Sequence, residues 1–262
     1  MQVVRSKDGT ALAYEVRGTG PALVYVAGAI CHRRFQPIVD DVNVLAQSFT
    51  VLSYDRRGRG DSSAAASDDP QAEIDDLAAV IGAAGGSAYV YGHSSGAVLA
   101  LEAALAFPEN VKKVLIYDPP YVADEQEREH VQQTKQRIQT LLTANRRARA
   151  IRTFLLSIGV PRIATALFGL VPGWSKTVRL APTLLYDIRL TEDYAPVDRL
   201  KRITVPTLVG FGEKSPHGMH LVANLIADAI PNARSRGFPG QDHMVAAKAL
   251  LPVMEAFFLG EA

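Results

Sequence analysis

Ser87-Ala88-Tyr89-Val90-Tyr91-Gly92-His93-Ser94-Ser95-Gly96-Ala97-Val98-Leu99-Ala100-Leu101-Glu102-Ala103-Ala104-Leu105 is the stretch on which the reading of this chain turns. A short apolar run enters Gly92 and an alanine-rich run with helical character leaves Ala97, so the pattern is strand, sharp turn, helix. Glycine on both sides of Ser94 suits a turn in which the central residue holds a strained backbone and bulky neighbours would collide with strand and helix. Such a turn lifts the hydroxyl out of the sheet and points the first N–H groups of the helix toward whatever the hydroxyl meets. A turn that serves packing alone would use the same small residues. The placement of G-x-S-x-G at a strand-to-helix junction is what makes it informative.

Outward from this turn, the chain alternates strands and helices. Val3–Arg5 and Leu12–Val16, separated by Asp8-Gly9, read as an antiparallel hairpin at a sheet edge. Ala22–Ala27 is a continuous apolar run of the kind found in buried parallel strands, and it ends in Gly28-Ala29-Ile30-Cys31-His32. A helix over about 34–47, a strand over 49–54 and the polar loop Asp55-Arg56-Arg57-Gly58-Arg59-Gly60-Asp61-Ser62-Ser63 follow. Helical spacing from Glu73 to Ile81 stops at Gly85-Gly86. Beyond the turn, Val111–Tyr117 is a buried strand that delivers Asp118. The alternation then ceases: 122–200 is helical in pattern, and its one tryptophan lies in a Pro172-Gly173-Trp174 turn. Strand character returns at 206–212 and 233–238, with a helix between them and a closing helix over about 245–259. The expectation is an α/β fold with a mainly parallel, doubly wound sheet. Residues 1–121 and 201–262 form its core and 122–200 a helical cap.

Ser94, Asp118 and His243 each follow a strand directly or by a short loop, the place where open parallel sheets present ligand-binding residues. A serine hydroxyl needs a base within hydrogen-bond reach and a third group to orient that base. His243, after the last strand and beside Gly240, is the natural base. The order serine, acid, histidine is the one expected of a serine turn on such a sheet.

On these residues the chain resembles the α/β-hydrolase superfamily, and more narrowly bacterial serine esterases and cofactor-free haloperoxidase-like hydrolases with a Tyr54-Asp55-Arg56-Arg57-Gly58-Arg59-Gly60 loop. The resemblance covers nearly the whole chain, with 122–200 as the variable cap. It implies acyl transfer: Ser94 as nucleophile, His243 as base, and the backbone N–H groups of Ala29 and Ser95 as oxyanion donors. Two departures matter. Ala27-Gly28 stands where the family usually has His-Gly, and Gly212-Glu213-Lys214-Ser215 stands where it commonly has Gly-x-x-Asp. A serine at 215 cannot stabilise an imidazolium as a carboxylate does, so either the triad is broken or the acid comes from elsewhere. Asp118 is the choice, Glu213 the second and Asp242 the third. The expected activity is hydrolysis of a carboxylic ester, lactone or related acyl substrate without metal or organic cofactor. The alternatives are a C–C bond hydrolase, a non-hydrolytic lyase or cyclase, and a catalytically weak ligand-binding homologue.

Composition narrows the partners. The 262 residues carry 28 basic and 27 acidic side chains, which argues against a nucleic-acid binder. A single cysteine, Cys31, excludes an internal disulfide, and no Cys/His cluster has zinc spacing. The charged start and the lack of a long apolar run exclude a secretory leader and a spanning helix, so a cytoplasmic protein with no membrane partner is expected. Homo-oligomers remain open. Gly58-Arg59-Gly60 lacks the Gly-Lys-Ser/Thr of a phosphate loop. The loop arginines are expected to tie it to nearby carboxylates. Phe154, Leu167, Phe168 and Trp174 suggest a pocket for an apolar acyl or alcohol portion.

Overall fold

Residues 1–64, 69–170 and 173–260 are described by a computed structural model of the chain. Eight strands form one sheet: β1 (Gln2–Arg5), β2 (Ala11–Arg17), β3 (Ala22–Val26), β4 (Thr50–Tyr54), β5 (Ala88–His93), β6 (Val111–Tyr117), β7 (Thr207–Gly212) and β8 (Ala233–Phe238). Their order is β1-β2-β4-β3-β5-β6-β7-β8. The β1–β2 and β2–β4 pairs are antiparallel and all others parallel. The edge hairpin, the parallel centre and the strand after the serine turn all stand where the sequence pattern put them.

Side chains alternate across the strands and divide the core into two layers. Val24, Val26, Val90, Val114, Ile116 and Val209 face one side, where they pack against α2 (Pro70–Ala83), α3 (Ser95–Ala106) and α10 (His217–Ala229). Leu23, Tyr25, Tyr91, Leu115 and Leu208 face the other, against α1 (Gln36–Leu45) and α11 (Ala247–Met254). With both faces covered, the central strands can be apolar throughout, which is why they read as unbroken runs. The predicted closing helix departs from regularity at its end: Pro252 lies inside α11, and Glu255–Leu259 continues as a π-helical turn.

Between β6 and β7 lie α4 (Glu125–Thr143), α5 (Arg147–Ser157), α6 (Arg162–Leu167), α7 (Trp174–Arg179), α8 (Leu184–Thr191) and α9 (Val197–Leu200). Ile138, Ile151, Leu155, Leu184 and Ile188 give them an apolar cluster of their own, and Ile30 of the core packs against it. Trp174 opens α7, stacks on Phe168 with ring centroids 6.2 Å apart and lies under the Arg152 guanidinium. Pro172, placed by the sequence in the preceding turn, lies outside the described residues. Leu167 is largely exposed. No helix among the described residues is long and apolar enough to cross a membrane.

Candidate active site

Ser94 sits between β5 and α3 with φ 55° and ψ −128°, a conformation that non-glycine residues rarely adopt. Its neighbours make this possible. A Cβ on Gly92 would lie 2.4 Å from the Gly96 carbonyl oxygen, and one on Gly96 only 2.2 Å from that of Val26. The Ser94 N–H donates to the Tyr117 carbonyl at 3.0 Å, and the turn is thereby pinned to the end of β6. Although Ser94 occupies the N-cap position of α3, its hydroxyl makes no capping bond.

Asp118, directly after β6, is wholly buried and also has a positive φ, 46°. Its N–H donates to Gly210 at 3.0 Å, so the strained residue is anchored to β7. The Oδ1 atom accepts the Gly212 N–H at 3.2 Å, and Oδ2 accepts the Ser215 hydroxyl at 2.5 Å. The same Oδ2 lies 3.1 Å from His243 Nδ1. Nε2, on the other side of the imidazole ring, is thereby left free of Asp118.

The loop that carries His243 is held from below. Tyr117 donates its hydroxyl to the Asp242 carbonyl at 2.7 Å, and His93 Nε2 lies 2.7 Å from the His243 carbonyl. A carbonyl oxygen only accepts, so His93 donates from Nε2. Burial, reinforced by the neighbouring His243, lowers the His93 pKa to about 4, and the ring is neutral above that value. The two imidazoles lie 4.9 Å apart, which places the His243 ring beside the residue that precedes Ser94.

The other acid candidates lie elsewhere. Glu213 is exposed, and its N–H donates to the Phe238 carbonyl at 3.3 Å. Asp242 turns its carboxylate to the Met244 N–H at 2.8 Å. Cys31 packs against the core layer that contains Tyr25 and Leu115, and burial raises its thiol pKa to about 11.

Gly28 abuts the serine: a Cβ there would lie 2.9 Å from Ser94 Cβ and 3.5 Å from its hydroxyl oxygen. This brings the Gly28-Ala29 peptide to the mouth of the turn, alongside Ser95 at the start of α3. Beneath them is a buried ionic cluster. Arg59 Nη1 donates to the Gly28 carbonyl at 2.7 Å, and its Nη2 reaches both oxygens of Asp187 at 2.8 Å. Arg56 binds Glu73 through Nε and Nη2 at 2.6 and 2.7 Å, and Asp187 through Nη1 at 2.8 Å. The Ser95 hydroxyl donates to Asp187 at 2.7 Å. Burial alone would raise the Asp187 carboxyl, but Arg59, Arg56 and the Ser95 hydroxyl outweigh it and hold the pKa below the usual aspartate value. The third loop arginine, Arg57, pairs with Asp76 and Asp8.

Asp187 is the residue that sequence reasoning passed over, and Ser215, read there only as a missing acid, is a hydrogen-bond donor to Asp118. Asp187 lies within the 122–200 segment, whose pattern shows no more than helix. Its one signal is isolation, because the chain has no Asp or Glu between Glu129 and Asp187. Among the described residues no group of three or more His, Cys, Asp or Glu side chains is placed to hold a metal.

This geometry accompanies close similarity to known proteins. A crystal structure of an α/β hydrolase from Sphaerobacter thermophilus superposes with a TM-score of 0.88 at 38% identity, over 98% of this chain and all of that one. A protein of Azorhizobium caulinodans named as a presumptive carbamate hydrolase, RutD, is 30% identical over 230 residues, 85% of this chain and 84% of its own length. An uncharacterized hydrolase of Bacillus subtilis, YraK, is 33% identical over 116 residues, and the match spans 42% of each chain. An esterase from Exiguobacterium antarcticum shares the fold, with a TM-score of 0.73 at 20% identity over 92% of each chain. Residues 13–253 match the model of the alpha/beta hydrolase family, and the chain belongs to that family.

Proposed function

We propose that the protein is a serine hydrolase of carboxylic esters, lactones or related acyl compounds, working through Ser94, His243 and Asp118. The observation that carries this reading is the 3.1 Å contact between Asp118 and His243 Nδ1. It supplies the orienting carboxylate that a serine at position 215 lacks, which supports a hydrolase over a ligand-binding homologue. In this mechanism His243 Nε2 takes the Ser94 proton as the hydroxyl oxygen bonds to the substrate carbonyl carbon. The carbonyl π-electrons move to oxygen, and the N–H groups of Ala29 and Ser95 receive the oxyanion. Collapse expels the leaving group, which takes the proton from His243. Water then attacks the acyl-enzyme by the same route in reverse. Asp118 keeps the proton on Nδ1 throughout and stabilises the imidazolium.

The helical segment over 122–200 serves as a cap, and Phe154, Phe168 and Trp174, packed with Ile30 beside Ala29, favour an apolar acyl or alcohol portion. The RutD likeness adds carbamates to the candidate class, since their carbonyl passes through the same tetrahedral intermediate. C–C bond hydrolysis and lyase or cyclase chemistry on this scaffold are the competing readings. The protein would act in the cytoplasm on a small molecule.

A fluorophosphonate probe with peptide mass mapping tests the proposal. The expected result is one adduct on Ser94 that disappears in Ser94→Ala. Absence of the adduct, or its survival in the variant, refutes it.

A further inference from the structure

Peptide N–H groups do not aim themselves. In a trans peptide the C=O and the following N–H point in opposite directions, so whatever grips one aims the other. The Gly28 carbonyl is gripped by Arg59 Nη1 at 2.7 Å, which turns the Ala29 N–H away from the buried arginine. Gly28 itself borders the Ser94 side chain, since a Cβ there would lie 2.9 Å from Ser94 Cβ. Arg59 is itself fixed, since its Nη2 meets both carboxylate oxygens of Asp187 at 2.8 Å. Asp187 also receives the hydroxyl of Ser95, the residue whose N–H is the second oxyanion donor, at 2.7 Å. One carboxylate thus holds both donor residues, through a guanidinium on one side and directly on the other.

That carboxylate comes from α8, whereas Gly28 and Arg59 lie in loops after β3 and β4 and Ser95 opens α3. The Asp187 and Arg59 side chains are 3% and 0% exposed. Fold stability does not account for such a cluster, because a buried ion pair is on average no better than the apolar side chains that could fill its place.

We propose that Asp187 is a positioning residue: through Arg59 and the Ser95 hydroxyl it sets the orientation of the two peptide N–H groups that receive the oxyanion. The helices between β6 and β7 thereby help assemble the transition-state site itself. The proposal rests on the serine-hydrolase reading above and adds to it a residue outside the triad.

The test uses the full chain and p-nitrophenyl butyrate. Asp187→Asn keeps the side chain's shape but removes its charge and one acceptor. The expected result is a fall in kcat of about 10²-fold with KM changed by less than about threefold, as for loss of an interaction made only in the transition state. Inhibition by a trifluoromethyl ketone, which adds to the serine as a tetrahedral adduct, weakens by a similar factor. Inhibition by butyrate, a ground-state ligand, does not change. Ser95→Ala deletes one hydroxyl and keeps the backbone donor, so it serves if Asp187→Asn does not fold; its expected loss in kcat is about tenfold.

A folded Asp187→Asn, or Ser95→Ala in its place, with kcat within about threefold of the parent overturns the proposal and leaves the hydrolase reading intact. Parallel weakening of butyrate and ketone overturns it too, as that is the mark of a general structural role. If the parent protein neither turns over the ester nor takes the fluorophosphonate on Ser94, both readings fall together.

Discussion

Asp118→Asn offers the sharpest check on the proposed acid. Its size follows from the three hydrogen bonds around the carboxylate. Oδ1 receives the Gly212 N–H, while Oδ2 receives the Ser215 hydroxyl and faces His243 Nδ1. Asparagine has one acceptor and one donor in the same shape. With its NH₂ at the Oδ1 position, donor meets donor at Gly212, in a fully buried site where such a mismatch costs about 1–3 kcal/mol. With its NH₂ at the Oδ2 position all partners are satisfied, because the Ser215 hydroxyl can rotate to accept. That arrangement donates to His243 Nδ1 and drives the imidazole proton to Nε2, where it blocks removal of the Ser94 proton.

The favoured orientation is therefore the inactive one. The expected loss is about 10⁴-fold in kcat, or ~5.4 kcal/mol of transition-state stabilisation, with little change in melting temperature. The assay is turnover of p-nitrophenyl butyrate at pH 8, with active sites counted by fluorophosphonate titration. A second step probes the reach argument. The Ser215 hydroxyl lies 2.5 Å from Asp118 Oδ2, so a carboxylate on residue 215 falls close to the ring nitrogen. Ser215→Asp added to Asp118→Asn should recover about 10²-fold of the lost rate. Activity of Asp118→Asn within tenfold of the parent, or a larger loss in Glu213→Gln, would refute the reasoning.

Two further outcomes follow from the geometry. Gly96→Ala drives a Cβ to 2.2 Å from the Val26 carbonyl oxygen and 2.9 Å from that of Ala27. Backbone cannot yield as a side-chain tip does, so a loss of about 3 kcal/mol or more by urea unfolding is expected, and a loss under about 1 kcal/mol would count against the turn as described. Asp41 has its pKa raised from 3.8 to about 6 by burial, only partly offset by the Tyr25 hydroxyl that donates to it. Between those values the unfolded chain gives up this proton while the folded chain keeps it. Stability from this group is therefore greatest below about pH 4 and falls by up to ~3 kcal/mol as pH rises through 6. Asp41→Asn should gain on the parent by that amount between pH 4 and pH 7; a stability difference that stays flat with pH refutes the assignment.

The strands and the serine turn were legible in the chain because their signals are local. Apolar runs such as Leu23–Val26 and Val114–Tyr117 mark strands covered on both faces, and Gly92 and Gly96 mark the only residue type that fits beside a backbone 2.2–2.4 Å away. The arginines of the Asp55–Ser63 loop were legible as seekers of carboxylates, though not which ones: Glu73 and Asp76 lie on the next helix, Asp187 far beyond.

The amino-acid sequence by itself determined the element order, the junction that carries Ser94 and the strand ends that carry Asp118 and His243. Periodicity and turn chemistry act over a few residues and need no knowledge of the rest. Only the tertiary structure set Asp118, the first choice of three, against His243 while Glu213 and Asp242 lie elsewhere, turned Ser215 from a missing acid into a donor to Asp118, and brought Asp187 under Ser95. Those meetings join residues 92 to 125 positions apart. Hydrogen bonds over such separations depend on where the sheet order and the packing of α8 place each side chain, and local pattern carries no record of that.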